Sequence, residues 1–495
     1  MPGAERILPD RPSLRHLKLE AKRRLAVGEF PTVHEAQLAL AREYGQPSWA
    51  RLKQLVADRE SQALAQVRWI ITRFRDAGQP GWTPVSDQEM REHFTAEVLA
   101  AAPDLAGQLA AAAVDLRADP VINDASAQEV RLTLSGMMIM ASAEAVPPHR
   151  LDGLFAFPLG ARVEDTRLKT TPPAAASGDC PPDMAEIADD VFDELGLPAL
   201  ALAGASPGQP PWLVTKGWAD LDRAEVLDAT HRFPATGATM AVTALAVLRL
   251  IAQDRFTLDT PANDLLRTVR LADGAITVRE LLSHTGGVDS PAGMYADAVP
   301  QTVPGTVIGC SGQRGVFQPS NGGCGALGWL IADVTQTPYV TAVTELVLAP
   351  LGLKTAGFPG NVAALGPRDV TQYDLPPDGQ FRPAGPRICV IPAAGGLWAT
   401  PADMVKLGTG WSSLLPDWLA RAAVTSVIPL VPHAPGVGLG WLLNPDDGTA
   451  VHAGAAPGAV ASLTIRVRDN QTLVVLISRM VPLDLIEARV RGAWS

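Results

Sequence analysis

The residues whose types and spacing bear on chemistry fall on three short stretches of this 495-residue chain. The first is Phe233-Pro-Ala-Thr-Gly237-Ala-Thr-Met240, a loop with Gly and Pro punctuation that opens the apolar run from Ala241 to Leu250. The pattern predicts a buried helix whose first turn presents free backbone N–H groups and the positive end of the helix dipole. A nucleophile and a developing oxyanion would both be stabilised there. The second stretch is Phe317-Gln-Pro319-Ser320-Asn321. The third is His452-Ala-Gly454, where glycine lets a strand approach a ligand and the imidazole can support an oxyanion or carboxylate. What is missing matters as much. No Ser-x-x-Lys occurs in the chain: Thr236 is followed three positions on by Thr239, and Ser311-Gly-Gln-Arg314 ends in a guanidinium that cannot serve as a base.

With their flanks, these stretches resemble the serine β-lactamase and penicillin-binding-protein family, in the class C-like branch that also contains esterases and D-aminopeptidases. The likeness is carried, in the family's order, by Gly217-Trp-Ala-Asp220, Leu258-Asp-Thr-Pro261, Ile276-Thr-Val-Arg-Glu-Leu-Leu-Ser-His-Thr-Gly-Gly287, Ala394-Gly-Gly-Leu-Trp-Ala-Thr-Pro-Ala-Asp-Met404 and His452-x-Gly454. The resemblance implies a serine at 237, a lysine at 240 and, from a Tyr-x-Asn motif, a tyrosine at 319. Gly237, Met240 and Pro319 stand there instead, and Asn321 survives alone. Glycine has no atom to acylate, methionine no nitrogen to take a proton, and proline no side-chain proton to move.

The resemblance with these substitutions implies no intact catalytic set and a binding or regulatory pseudoenzyme. Its cleft would be lined by Gly237, Asn321, His452 and Gly454, made roomier and more apolar by the loss of Ser and Lys, and suited to a peptide, an acyl chain or a small apolar molecule. Two alternatives stay open. One is an active serine hydrolase of esterase, β-lactamase or peptidase type with Ser320, Ser311 or Thr236 as substitute nucleophile. The other places ligand binding or interaction in the N-terminal units. Ser283 and His284 read as structural, with Thr277 capping a helix and Glu280 as its box partner.

The elements that must position these residues form an α+β multidomain chain. Residues 1–60 read as an N-terminal helical segment with Leu14, Leu17, Leu25, Ala36, Leu38, Ala41, Trp49, Leu52 and Leu55 on apolar faces, Gly45 stopping one helix and Ser48 capping the next. It resembles a short helical leader found before ankyrin-repeat and other bacterial domains, and offers a docking surface for a protein partner. Residues 61–165 predict helices over 63–74 and 87–102 and strands over 129–141 and 151–157. They are similar to the small cone-shaped, ketosteroid-isomerase-like domain that precedes some lactamase-like domains. That likeness leaves two readings of Met137, Met138 and Met140, the lining of a pocket or, more in keeping with a strand, plain core, with His93 and His149 structural or exposed. Fold analogy supplies no activity. Residues 166–183 have a linker's composition of proline and small residues. The lactamase-like domain, an antiparallel sheet flanked by helices plus a helical subdomain, is expected over 184–495.

Composition bounds the partners. A net charge of −11 argues against nucleic acid and against an anionic membrane surface. The apolar stretches are too short or interrupted to insert in a bilayer, and the acidic, proline-containing start lacks the apolar core of a secretory signal, so a cytoplasmic location is the expectation. Cys180, Cys310, Cys324 and Cys389 have no paired spacing, which predicts isolated thiols, no metal site and no cofactor.

Overall fold

The computed structural model describes residues 62–491 apart from 102–103, 114, 118–119, 126–128, 135–136, 145–146, 159–162, 207–208, 292, 377, 386, 429–435, 446, 484–485 and 488, and before them 30–44, 48–49, 52, 17, 21 and 23–25. The chain divides into two units, Met1–Leu159 and Gly160–Ser495.

In the first unit α1 (Val33–Glu43) begins at Thr32, whose hydroxyl accepts from the Glu35 N–H at 3.2 Å. Leu17, Ala21, Ala36, Leu40, Ala41, Tyr44 and Leu52 form a small core around it, with Phe30 and Trp49 at its border. Leu38 is half-exposed and Leu40 takes the buried position; Leu14, Leu55 and Gly45 lie outside the described residues. Next come α2 (Gln62–Phe74), α3 (Asp87–His93), α4 (Ala96–Ala101) and α5 (Leu105–Ala111), then β1 (Val121–Ala125), β2 (Glu129–Leu134), β3 (Met137–Ala143) and β4 (Leu151–Pro158). The four strands form an antiparallel sheet in chain order.

Two expectations need correction here. The helix predicted over 87–102 breaks at Phe94, which bridges to Leu151, while the Thr95 N–H donates to the Leu151 carbonyl at 3.0 Å. Thr95 then caps the new helix, its hydroxyl accepting from the Val98 N–H. The strand predicted over 129–141 is two antiparallel strands, β2 and β3, with Leu134 paired to Met137. Ile139 and Ala141 join the core beneath α2, so by the two-residue alternation of a strand Met138 and Met140 point to the other face of the sheet.

The second unit contains β5 (Ala175–Ser177), α6 (Met184–Leu195), β6 (Ala199–Ala205), β7 (Trp212–Asp220), β8 (Glu225–Val226), α7 (Thr239–Ala252), α8 (Val278–Leu282), α9 (Asn321–Thr335) and α10 (Pro401–Gly410). The strands β9 (Gly436–Val437), β10 (Leu442–Asn444), β11 (Thr449–Ala456), β12 (Ala459–Arg466) and β13 (Gln471–Ile477) complete it. Among the described residues the sheet runs β9-β10-β11-β12-β13-β6-β7-β5, every pairing antiparallel, with β8 on β7. Its two faces are sorted by alternation: Leu200, Leu202, Leu473 and Val475 pack with α6, while Ala201, Ala203, Val474 and Leu476 join the large core around α7. Nearly all of α7 is buried. No helix among the described residues is long and apolar enough to cross a membrane.

The stretch 166–183, expected as a linker, is stitched into this unit. Thr166–Thr170 is a short helical turn capped by Asp165, and Ala175–Ser177 pairs with Leu213–Thr215. Small residues fit an edge strand as well as they fit a linker, and the exposed edge of β7 supplies the hydrogen-bond partners.

Candidate functional site

The entry to α7 is braced on both sides. Arg232 forms a bidentate pair with Asp369 at 2.7 and 2.8 Å. Phe233 and Pro234 pair with Ala399 and Trp398, the Ala235 N–H donates to the Leu397 carbonyl at 2.8 Å, and the Leu397 N–H donates to the Thr239 hydroxyl at 3.2 Å. The Ala394–Met404 motif thus holds the segment from which a nucleophile would project. A single helical turn, Thr236–Ala238, leads into the helix. Thr236 is fully buried at φ +45°, in the left-handed region that β-branched residues avoid, and its hydroxyl donates to the Gly454 carbonyl at 2.8 Å. Gly237 and Met240 are both half-exposed.

At Gly237 a side chain is excluded by more than sequence. A Cβ placed there would overlap the Ala453 carbonyl oxygen and stand 3.0 Å from its carbon. On the opposite side a Cβ at Gly454 would overlap the Gly237 nitrogen and lie 2.7 Å from its Cα. Backbone meets backbone. Glycine at 237 therefore opens no extra room at this point, since the space a side chain would take is occupied by the Ala453 carbonyl.

Asn321 is the first residue of α9. Ser320 is the cap, its hydroxyl accepting from the Gly323 N–H at 2.8 Å, and the Asn321 N–H donates to the Ser290 hydroxyl at 2.9 Å. Pro319 is exposed and Asn321 half-exposed. The Ser320 N–H donates to Nδ1 of His284 at 3.1 Å, so that ring nitrogen carries no proton, and burial holds the His284 pKa down to about 4. Ser283 donates to the Arg279 carbonyl at 2.8 Å, and Thr277 and Glu280 form a capping box on α8. The 276–287 motif is structural in this chain.

His452 and Gly454 sit on β11, whose partner β10 covers it only from Thr449 to Val451. Beyond that point one edge of β11 has no strand against it among the described residues. His452 is buried, and its Nδ1 finds no hydrogen-bond partner among the described residues. Burial, and then the nearby His284, holds its pKa down to about 3, so the ring is a neutral imidazole. Trp441 lies tilted beside it, ring centres 6.4 Å apart.

The three substitute nucleophiles are each engaged. Thr236 is tied to Gly454; Ser320 caps α9; Ser311 donates to Asp289, with its N–H bonded to the same carboxylate at 2.9 Å. No imidazole hydrogen-bonds to any of these hydroxyls among the described residues. Tyr295, outside every motif read from the sequence, does reach the site: its hydroxyl donates to the Ala455 carbonyl at 3.3 Å, and burial with Cys389 nearby pushes its pKa up. A lone tyrosine in a loop carries no spacing signal by which it could have been found. All four cysteines are free; burial pushes the thiols of Cys324 and Cys389 up to about 12 and about 11.

The Beta-lactamase family model matches residues 184–493. Esterase EstB of Burkholderia gladioli is 29% identical over 223 residues, covering 39% of this chain and 55% of the esterase. Protein flp of Staphylococcus aureus (strain MW2) is 23% identical over 291 residues, covering 52% of this chain and 55% of that protein. The chain spans about half the length of the curated relatives it matches. The solved structure of the penicillin binding protein from Bacillus halodurans superposes with a TM-score of 0.52 at 19% identity, over 61% of this chain and 98% of that one. At that identity the likeness is one of fold.

Proposed function

Because the chain belongs to the β-lactamase family of serine hydrolases, we propose that it is a member that has given up hydrolysis and acts by binding. The observation that carries this reading is at Gly237. The position where the family's serine is expected has no side chain, and the space one would need is filled by the Ala453 carbonyl. The half-exposed Met240 and exposed Pro319 stand where an amine and a phenol are expected, so the groups the family motifs would supply for proton transfer and acylation are missing from those positions. In serine hydrolases loss of the catalytic group lowers turnover by roughly a million-fold. The groups left for a ligand are the Asn321 amide, the neutral His452 ring and the backbone of Gly237 and Gly454.

Hydrolysis of nitrocefin and of a short-chain nitrophenyl ester by the full-length chain tests the proposal. Rates equal to the uncatalysed reaction are expected. Saturable turnover by the full-length chain would point to a substitute nucleophile and overturn it.

A further inference from the structure

Beyond the end of β10, the edge of β11 from His452 to Ala456 is open to whatever lies beside it, and what lies there is this chain's own machinery. Thr236 donates its hydroxyl to the Gly454 carbonyl at 2.8 Å and Tyr295 donates to the Ala455 carbonyl at 3.3 Å. Between them Gly237 and Gly454 meet with room for no Cβ on either side. Thr236 makes its contact from φ +45°, a strained conformation for a β-branched residue that persists only where the surroundings over-determine it. The three contacts come from two separate segments of the chain and converge on two consecutive residues of one strand, Gly454 and Ala455.

We propose that His452–Ala456 is a latch, held on the start of α7 by Thr236 and Tyr295, and that its closure limits how much of the half-exposed Gly237 backbone a ligand can reach. The inference rests on the reading above for the identity of the site, not for its inactivity. Gly237 is then the residue that lets the latch close, and a methyl group there is a wedge.

Hydrogen exchange followed by mass spectrometry on the full-length chain tests this. Thr236→Val removes the hydroxyl without changing side-chain shape, and Tyr295→Phe does the same at the second contact. Each is expected to speed exchange in the peptide covering 452–456 by roughly fivefold, the equivalent of one net hydrogen bond. Thr236→Ser keeps the hydroxyl and should stay near the parent. Gly237→Ala should speed exchange more than either. Unchanged protection of β13 in the same samples reports an intact fold. Unchanged exchange at 452–456 in both hydroxyl variants, with β13 protected, would overturn the latch. Should Gly237→Ala fail to fold, those two variants still decide. Ester hydrolysis by the parent chain would remove the non-hydrolytic reading and leave the exchange data to judge the latch alone.

Discussion

At position 237 the missing side chain is used by the fold. Restoring the family's serine there does not restore a site, because the new Cβ meets the Ala453 carbonyl before any substrate does. Gly237→Ser is therefore expected to give no β-lactam or ester hydrolysis and to destabilise the chain by about 1–3 kcal/mol, the range for overpacking a filled interior. Urea unfolding of the variant beside the parent reads this directly; an unchanged midpoint would mean that the strand yields freely. Gly237, Met240 and Pro319 were legible in the sequence, since each stands at a counted offset inside a recognisable motif. The closure was not. Thr236 and Gly454 are 218 positions apart, and no local pattern announces that two glycines will meet.

Among the elements, the short α8 shows the local chemistry that holds a motif read from the sequence as structural. Thr277 accepts from the Glu280 N–H at 3.3 Å while the Glu280 carboxylate accepts from the Thr277 N–H at 2.8 Å. The same carboxyl group receives Arg314 at 2.9 Å through both of its oxygens. Thr277→Ala should cost about 1 kcal/mol of stability, measured by denaturant unfolding, with Thr277→Ser near neutral. Element types for the periodic stretches α2 and α7 followed from apolar spacing. The misses have physical causes. Phe94 carries an apolar periodicity that continues the helix pattern, but pairing with Leu151 ended the helix. The edge strand β5 was hidden because alanine and serine carry no strand signal of their own, and β7 recruited them.

For the molecule as a whole, two buried neutral imidazoles set a pH dependence. His452 is held down to about 3 and His284 to about 4, against about 6.5 in an unfolded chain. Between those values and about pH 6.5 the unfolded state binds more protons than the folded one. Their contribution to stability is therefore complete above about pH 6.5 and is lost as the pH falls toward 4 and then 3. The unfolding midpoint in urea should drop from pH 7 to pH 4.5, and His452→Leu, which removes one titrating ring and its unpartnered Nδ1, should shrink that drop. An equal drop in parent and variant would show that His452 is not a source of it.

On the reading proposed here, no residue of this lactamase-like domain can be acylated. Intact-mass spectrometry after incubation with a fluorophosphonate and, separately, with a penicillin tests it most directly. Both samples are expected to keep the unmodified mass of the 495-residue chain. A stoichiometric adduct, mapped by peptide digestion to Thr236, Ser311 or Ser320, would contradict it and would name the nucleophile that replaced the missing serine.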